Sequence, residues 1–142
     1  MPYRRPETRA APAYLEANGR PATPAELAGH ACVAYAPLRE ARPWRFHDDG
    51  AVVVHRPIKR FRTGDTEQIR AAVLAGPGLA QAPGWLFAAE IASGELEPVL
   101  ERYQPAPLPI SLVHATGRRP AAKVTALMDF IAEALPRNRY LR

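Results

Sequence analysis

Thr63-Gly64-Asp65-Thr66 is the stretch with the clearest chemical potential. A strand-like run ends there and a helical pattern begins, so free backbone N–H groups and the positive end of a helix dipole meet at one spot. Such a spot suits a carboxylate or another anionic group. The same residues allow a self-contained reading, in which Asp65 caps the helix and takes those donors for itself. Pro83 follows a second strand-like run, residues 79–82, and so falls at the kind of sheet edge where open α/β sheets gather ligands. Trp44 and Trp85 are candidates for lining such a cleft, set against the commoner role of an aromatic as packed core.

Catalytic patterns are missing from the chain. It has no Gly-x-Ser-x-Gly elbow and no phosphate loop followed by lysine. Its single cysteine, Cys32, excludes an internal disulfide, and His30, His47, His55 and His114 lack metal-ligand spacing. The expectation is a protein that is not an enzyme and needs no cofactor or metal. Gly76-Pro77-Gly78 follows a helical run instead of a strand, so packing explains it better than dinucleotide binding does. Cys32 reads as a small core residue.

The 142 residues carry a formal net charge of +5. The arginines run from Arg4 to Arg142 without gathering into a basic stripe, which reads as solvated faces and not as a nucleic-acid surface. Residues 71–89 hold no charged side chain, and about 18 apolar residues in a row can span a membrane. Here Gly76, Pro77, Gly78, Pro83 and Gly84 interrupt the run twice, so helix end, buried strand and next helix are expected, with no membrane partner. Arg4, Arg5 and Arg9 are not followed by an apolar stretch, which points away from a secretory signal and towards the cytoplasm.

The elements that position these residues follow from local signals. Residues 12–18 read as a helix closed by Gly19. Thr23-Pro24-Ala25-Glu26 resembles a capping box opening a short helix that ends at Gly29. Residues 31–36 read as a buried strand, and Asp48-Asp49-Gly50 as the turn of a hairpin between residues 44–46 and 51–55. A strand over 58–62 leads into the Asp65-capped helix, with Gln68 at its third position. Residues 79–82 form an interior strand, 85–92 a helix stopped by Gly94, and 96–100 another strand. Beyond a proline-rich connector, 110–114 reads as a strand and 121–135 as a helix. That helix carries Val124, Leu127, Met128, Ile131 and Leu135 on one stripe that must bury against something. Strands alternating with short helices indicate an α/β fold with a mixed sheet.

Several of these stretches together resemble the effector-binding region of LysR-type transcriptional regulators. They are Ala10-Ala11-Pro12-Ala13-Tyr14-Leu15, Gly19-Arg20-Pro21 and Glu26-Leu27-Ala28-Gly29-His30-Ala31-Cys32, followed by Trp44-Arg45-Phe46 and Gly64-Asp65. Ala75-Gly76-Pro77-Gly78-Leu79-Ala80, Pro83-Gly84-Trp85-Leu86, Gly94-Glu95-Leu96 and the final helix continue the order. The resemblance implies a lobe like those of type II periplasmic binding proteins over residues 12–105. Residues 1–11 would be a crossover, and 106–142 a returning strand and helix of an incomplete first lobe.

By the same resemblance a small-molecule effector, such as a carboxylate, would touch Ala11, Pro12, Thr63, Gly64, Asp65, Pro83, Ile110 and His114. Asparagine is common in the family where Gly64 stands, so recognition there would rest on backbone groups. His114 has a second reading, as an ordinary solvent-facing strand histidine. The implied protein is a homo-oligomeric, cytoplasmic ligand sensor that reaches DNA only through an N-terminal domain absent from this chain. The alternative is a truncated interaction module that assembles with itself or with a full-length regulator.

Overall fold

The computed structural model describes residues 5–57, 59–107, 109–115 and 120–137. In chain order the strands are β1 (Pro6–Ala10), β2 (Cys32–Tyr35), β3 (Trp44–Asp48), β4 (Ala51–His55), β5 (Lys59–Thr63), β6 (Ala80–Pro83) and β7 (Glu97–Val99). The helices are α1 (Pro12–Asn18), α2 (Thr66–Leu74), α3 (Ala88–Ser93) and α4 (Ala122–Ala134), with short 3-10 helices at Pro24–Gly29, Gly84–Phe87, Glu101–Tyr103 and Leu135–Arg137.

β1 lies between β6 and β7, antiparallel to both. β2 pairs with β5 in parallel, and a parallel bridge between Cys32 and Leu79 ties this pair to the start of β6. The combined order is β5-β2-β6-β1-β7, a mixed sheet as expected. Residues 6–10, read from the sequence as a crossover, are therefore the strand on which β6 and β7 both depend. β3 and β4 form a separate antiparallel hairpin whose turn residues, Asp49 and Gly50, both take positive φ. That backbone matches the right-handed twist of the two strands.

Alternation along the strands divides the core into two layers. Leu79 points to one face with Ala10, Tyr14, Leu27, Phe46 and Val99, under α1 and the hairpin. Ala80 and Ala82 take part in the other, with Val33, Ile69, Val73 and Phe87 under α2 and α3. The hairpin is fastened by Gln81, whose side chain accepts from Arg45 N at 3.2 Å and donates to Arg45 O at 3.1 Å. One amide thus supplies both bonds that a neighbouring strand would offer.

Some local expectations need correction. The segment 24–29 is a 3-10 helix, and Thr23 makes no side-chain cap; Glu26 instead accepts from Ala22 N and from the Thr23 hydroxyl. The helix expected over 85–92 begins as a 3-10 turn before becoming α3. Residues 110–114 form no strand, and Val113 and His114 face solvent. Extended backbone becomes a strand only against a neighbour that takes its hydrogen bonds, and the sheet described here does not reach this segment. α4 forms as read, but none of its residues is buried, so its apolar stripe lacks the cover the sequence calls for. Ile58, where the reading starts β5, lies outside the described residues, as do Arg4 and Arg142.

The ion pair between α2 and α3 has a pH signature. Glu90 is buried, and the Arg70 guanidinium donates to its Oε1 through Nε, at 2.7 Å, and through Nη2. These bonds outweigh burial and hold the Glu90 carboxyl below its ordinary value of 4.5. A carboxyl with a depressed folded pKa adds stability that is complete above its unfolded value and disappears as pH falls through the folded one. Melting temperature should therefore decline below about pH 4.5, the ordinary glutamate range. Glu90→Gln should flatten that acid limb in circular-dichroism melts, and an unchanged limb would assign the acid sensitivity elsewhere.

Candidate functional site

The loop after β5 is committed to itself. Asp65 Oδ1 accepts from Glu67 N at 2.8 Å and from Gln68 N at 3.1 Å, while Asp65 N donates to the Thr63 hydroxyl at 3.1 Å. That hydroxyl in turn donates to Gln68 Oε1 at 2.7 Å. The cap of the self-contained reading is present: two donors of the first helical turn are taken, and by a group that is itself negative. A Cβ on Gly64 would meet Pro37 Cα at 3.0 Å, so the missing side chain makes room for the chain leaving β2. Asp65→Ala should cost about 1 kcal/mol, the usual value of such a cap, measured as a shift of the urea midpoint.

A cavity of about 510 Å³ opens beside this loop, within the range of small-molecule sites. Tyr35 at the end of β2, Pro83 at the end of β6, and Thr66 and Ile69 of α2 bring it to the carboxyl edge of the sheet. The hairpin contributes Trp44, Arg45, His47 and Val52, and the segment before it contributes Arg42 and Pro43. Pro6 enters from the start of β1, and Pro105, Ala106 and Pro107 enter from the connector beyond β7. Trp85 and Leu86 close the apolar side; Trp85 is 40% exposed, whereas Trp44 is almost fully buried.

Of the site residues read from the sequence, Pro83 lines this cavity, and Thr63, Gly64 and Asp65 form the loop that leads to its Thr66. Ala11 and Pro12 are not brought there. β1 runs antiparallel to β6 with Pro6 opposite Pro83 and Arg9 opposite Ala80, so Ala11 leaves at the far end of the sheet. Ile110 and His114 are not lining residues either, and His114 Nδ1 lies 3.0 Å from the Ala115 carbonyl oxygen. The sequence reading missed Pro6, Tyr35, Arg42, Gln81 and the 105–107 segment. Pro6 had a signal available, since it opens the strand that ends at Ala10, next to Ala11. Arg42 had none, because it sits in a charged loop without periodicity.

Among the described residues no group of three or more His, Cys, Asp and Glu side chains is placed to hold a metal ion. No described helix is long and apolar enough to cross a membrane.

The layered sheet with an open carboxyl edge places the chain in the class of α/β ligand-binding lobes of type II periplasmic-binding-protein shape. It belongs to the LysR substrate binding domain family, whose model matches residues 9–136. It is 31% identical over 129 residues to the uncharacterized HTH-type transcriptional regulator YhjC of Escherichia coli, covering 87% of this chain and 42% of that one. It is 29% identical over 133 residues to the HTH-type transcriptional regulator CrgA of Neisseria meningitidis, covering 91% and 43%. The solved CrgA structure superposes with a TM-score of 0.65 at 27% identity, over 74% of this chain and 36% of that one. Full-length LysG of Corynebacterium glutamicum, solved with bound effector Arg, shares the fold at a TM-score of 0.60 and 17% identity, over 94% and 44%. The chain thus spans about two fifths of the length of the curated relatives it matches.

Proposed function

We propose that this chain is the effector-sensing and oligomerising region of a LysR-type transcriptional regulator, with the small molecule held in the cavity at the carboxyl edge of the sheet. One observation carries the reading. Both ends of the lobe, Pro6 and Pro105 to Pro107, line the same cavity. In a two-lobed binder those are the segments through which a bound ligand alters the relation of one lobe to the other. The fold neighbour LysG, solved with its effector Arg, supports a ligand-holding role for this architecture.

In this reading residues 1–11 and 106–142 connect to a second lobe, and 12–105 make the effector lobe. DNA is reached through a region outside the chain, the protein works in the cytoplasm, and no reaction is catalysed. The relatives named above are all transcriptional regulators, which fits that assignment. The test is a melting assay of the purified chain against a broad metabolite library, charged and neutral, combined with light scattering. A dimer or larger assembly and a concentration-dependent rise in melting temperature are expected, because a ligand that binds only the folded state stabilises it by mass action.

A second reading, an interaction module that pairs with itself or with a full-length regulator, draws on α4. Leu127 and Phe130 are 58% and 67% exposed there, more apolar surface than one short helix ordinarily leaves open. Assembly without any stabilising compound would favour it.

A further inference from the structure

The wall of the cavity formed by the hairpin and the segment before it differs from the rest. It presents Arg42, Arg45 and His47, and among the described residues no aspartate or glutamate lines the cavity. Neither arginine takes part in an ion pair with a described carboxylate. Arg42 is also held in place: its backbone N donates to Tyr35 O at 2.9 Å, and its guanidinium lies over the Tyr35 ring, 5.4 Å from the centroid. Stacking occupies the face of a guanidinium and leaves the N–H groups along its edge free, in the fork geometry that matches a carboxylate. Arg45 is held through its backbone by Gln81, which itself lines the cavity. Ile69, Pro83, Trp85 and Leu86 also line the cavity, all without charge.

The loop at the start of α2 is a poor source of countercharge, because Asp65, itself negative, already accepts from Glu67 N and Gln68 N. We infer that Arg42 is the specificity-determining residue of this cavity. It anchors a carboxylate whose apolar body lies against Pro83, Trp85 and Leu86, while Arg45 adds to the local potential. The inference rests on the cavity being the effector site, and it adds the charge of the ligand and the group that selects it.

The test is calorimetric titration of the full chain with benzoate and cyclohexanecarboxylate, each against its uncharged amide. Both acids should bind about ten-fold or more tightly than their amides, the scale of a charge-assisted bidentate contact. Arg42→Gln should remove that preference by weakening the acids, with the amides still binding; losing the contact with the Tyr35 ring should lower the melting temperature of the free chain only slightly, since Arg42 is exposed. Arg42→Lys, which keeps the charge but loses the fork, should retain part of the preference. Acids that bind no better than amides, a preference that survives Arg42→Gln, or no acid binding at all would each overturn the inference. In any of those cases, a neutral library compound that still stabilises the chain and perturbs Trp85 fluorescence would leave the effector reading standing. If no compound of either kind binds, both fall together.

Discussion

Gly78→Ala is expected to lower the melting temperature of this chain by roughly 10 °C, equivalent to about 3 kcal/mol for a protein of this size. A methyl group at that position would sit 2.3 Å from Ala31 O, 2.7 Å from Ala31 C and 3.1 Å from Cys32 N. All three are backbone atoms, so no side chain can swing aside. They also belong to the junction that unites the sheet, where Leu79 N donates to Ala31 O at 2.9 Å and Val33 N donates to Leu79 O at 2.8 Å. Relieving the contact means opening those bonds and separating β2 from β6. Thermal melts by circular dichroism check the prediction, and a midpoint within a degree or two of the parent would show that the two strands can part at little cost. Because Tyr35 and Pro83 extend from the same two strands, the variant should also lose ligand-induced stabilisation.

Phe87→Ala should be of comparable or larger effect, about 3–5 kcal/mol, the range for emptying a buried aromatic site. Phe87 is fully buried in the layer beneath α2 and α3, among Val33, Val73 and Leu96. It also ends the 3-10 turn that carries Trp85 and Leu86 to the cavity. Two parts of the loss are separable: transfer of the ring to water, and the void left where packing cannot collapse. Phe87→Leu keeps most of the volume and should cost much less, so the ratio of the two urea midpoint shifts reads the cavity term directly. Equal shifts for both variants would mean that the ring's shape, rather than its volume, holds the layer together.

Much of the local structure was legible because its causes lie within a few residues. The turn at Asp48-Asp49-Gly50 set the hairpin, Gly19 and Gly94 stopped their helices, and Asp65 capped α2 through the donors its position predicts. The Pro12, Cys32 and Ala80 regions fell into their elements because turn and breaker residues bound them on either side: Gly19 after the first, Gly29 before the second, and Gly78 and Gly84 around the third. The misread stretches depended on distant partners. Residues 110–114 have strand composition but pair with no strand among the described residues. The Glu26 capping box did not form: the segment is a 3-10 helix without a Thr23 cap, and the Glu26 carboxylate accepts from Ala22 N and the Thr23 hydroxyl.

The candidate site divides along the same line. Sequence alone determined that the chain is an α/β lobe, that a helix begins at Asp65, that a strand ends at Pro83, and that Trp44 and Trp85 were available to a cleft. Only the tertiary structure decided which of these share an edge. Strand direction settles it: β1 meets β6 antiparallel, which brings Pro6 to Pro83 and sends Ala11 and Pro12 to the opposite end. The hairpin, fastened by Gln81, and the segment leading into it bring Arg42, Arg45 and His47 to a cavity that nothing in their spacing announced. Caps and turns act through bonds between near neighbours, so sequence reports them; this cavity is lined by segments about a hundred residues apart, from Pro6 to Pro107, and only packing brings them together.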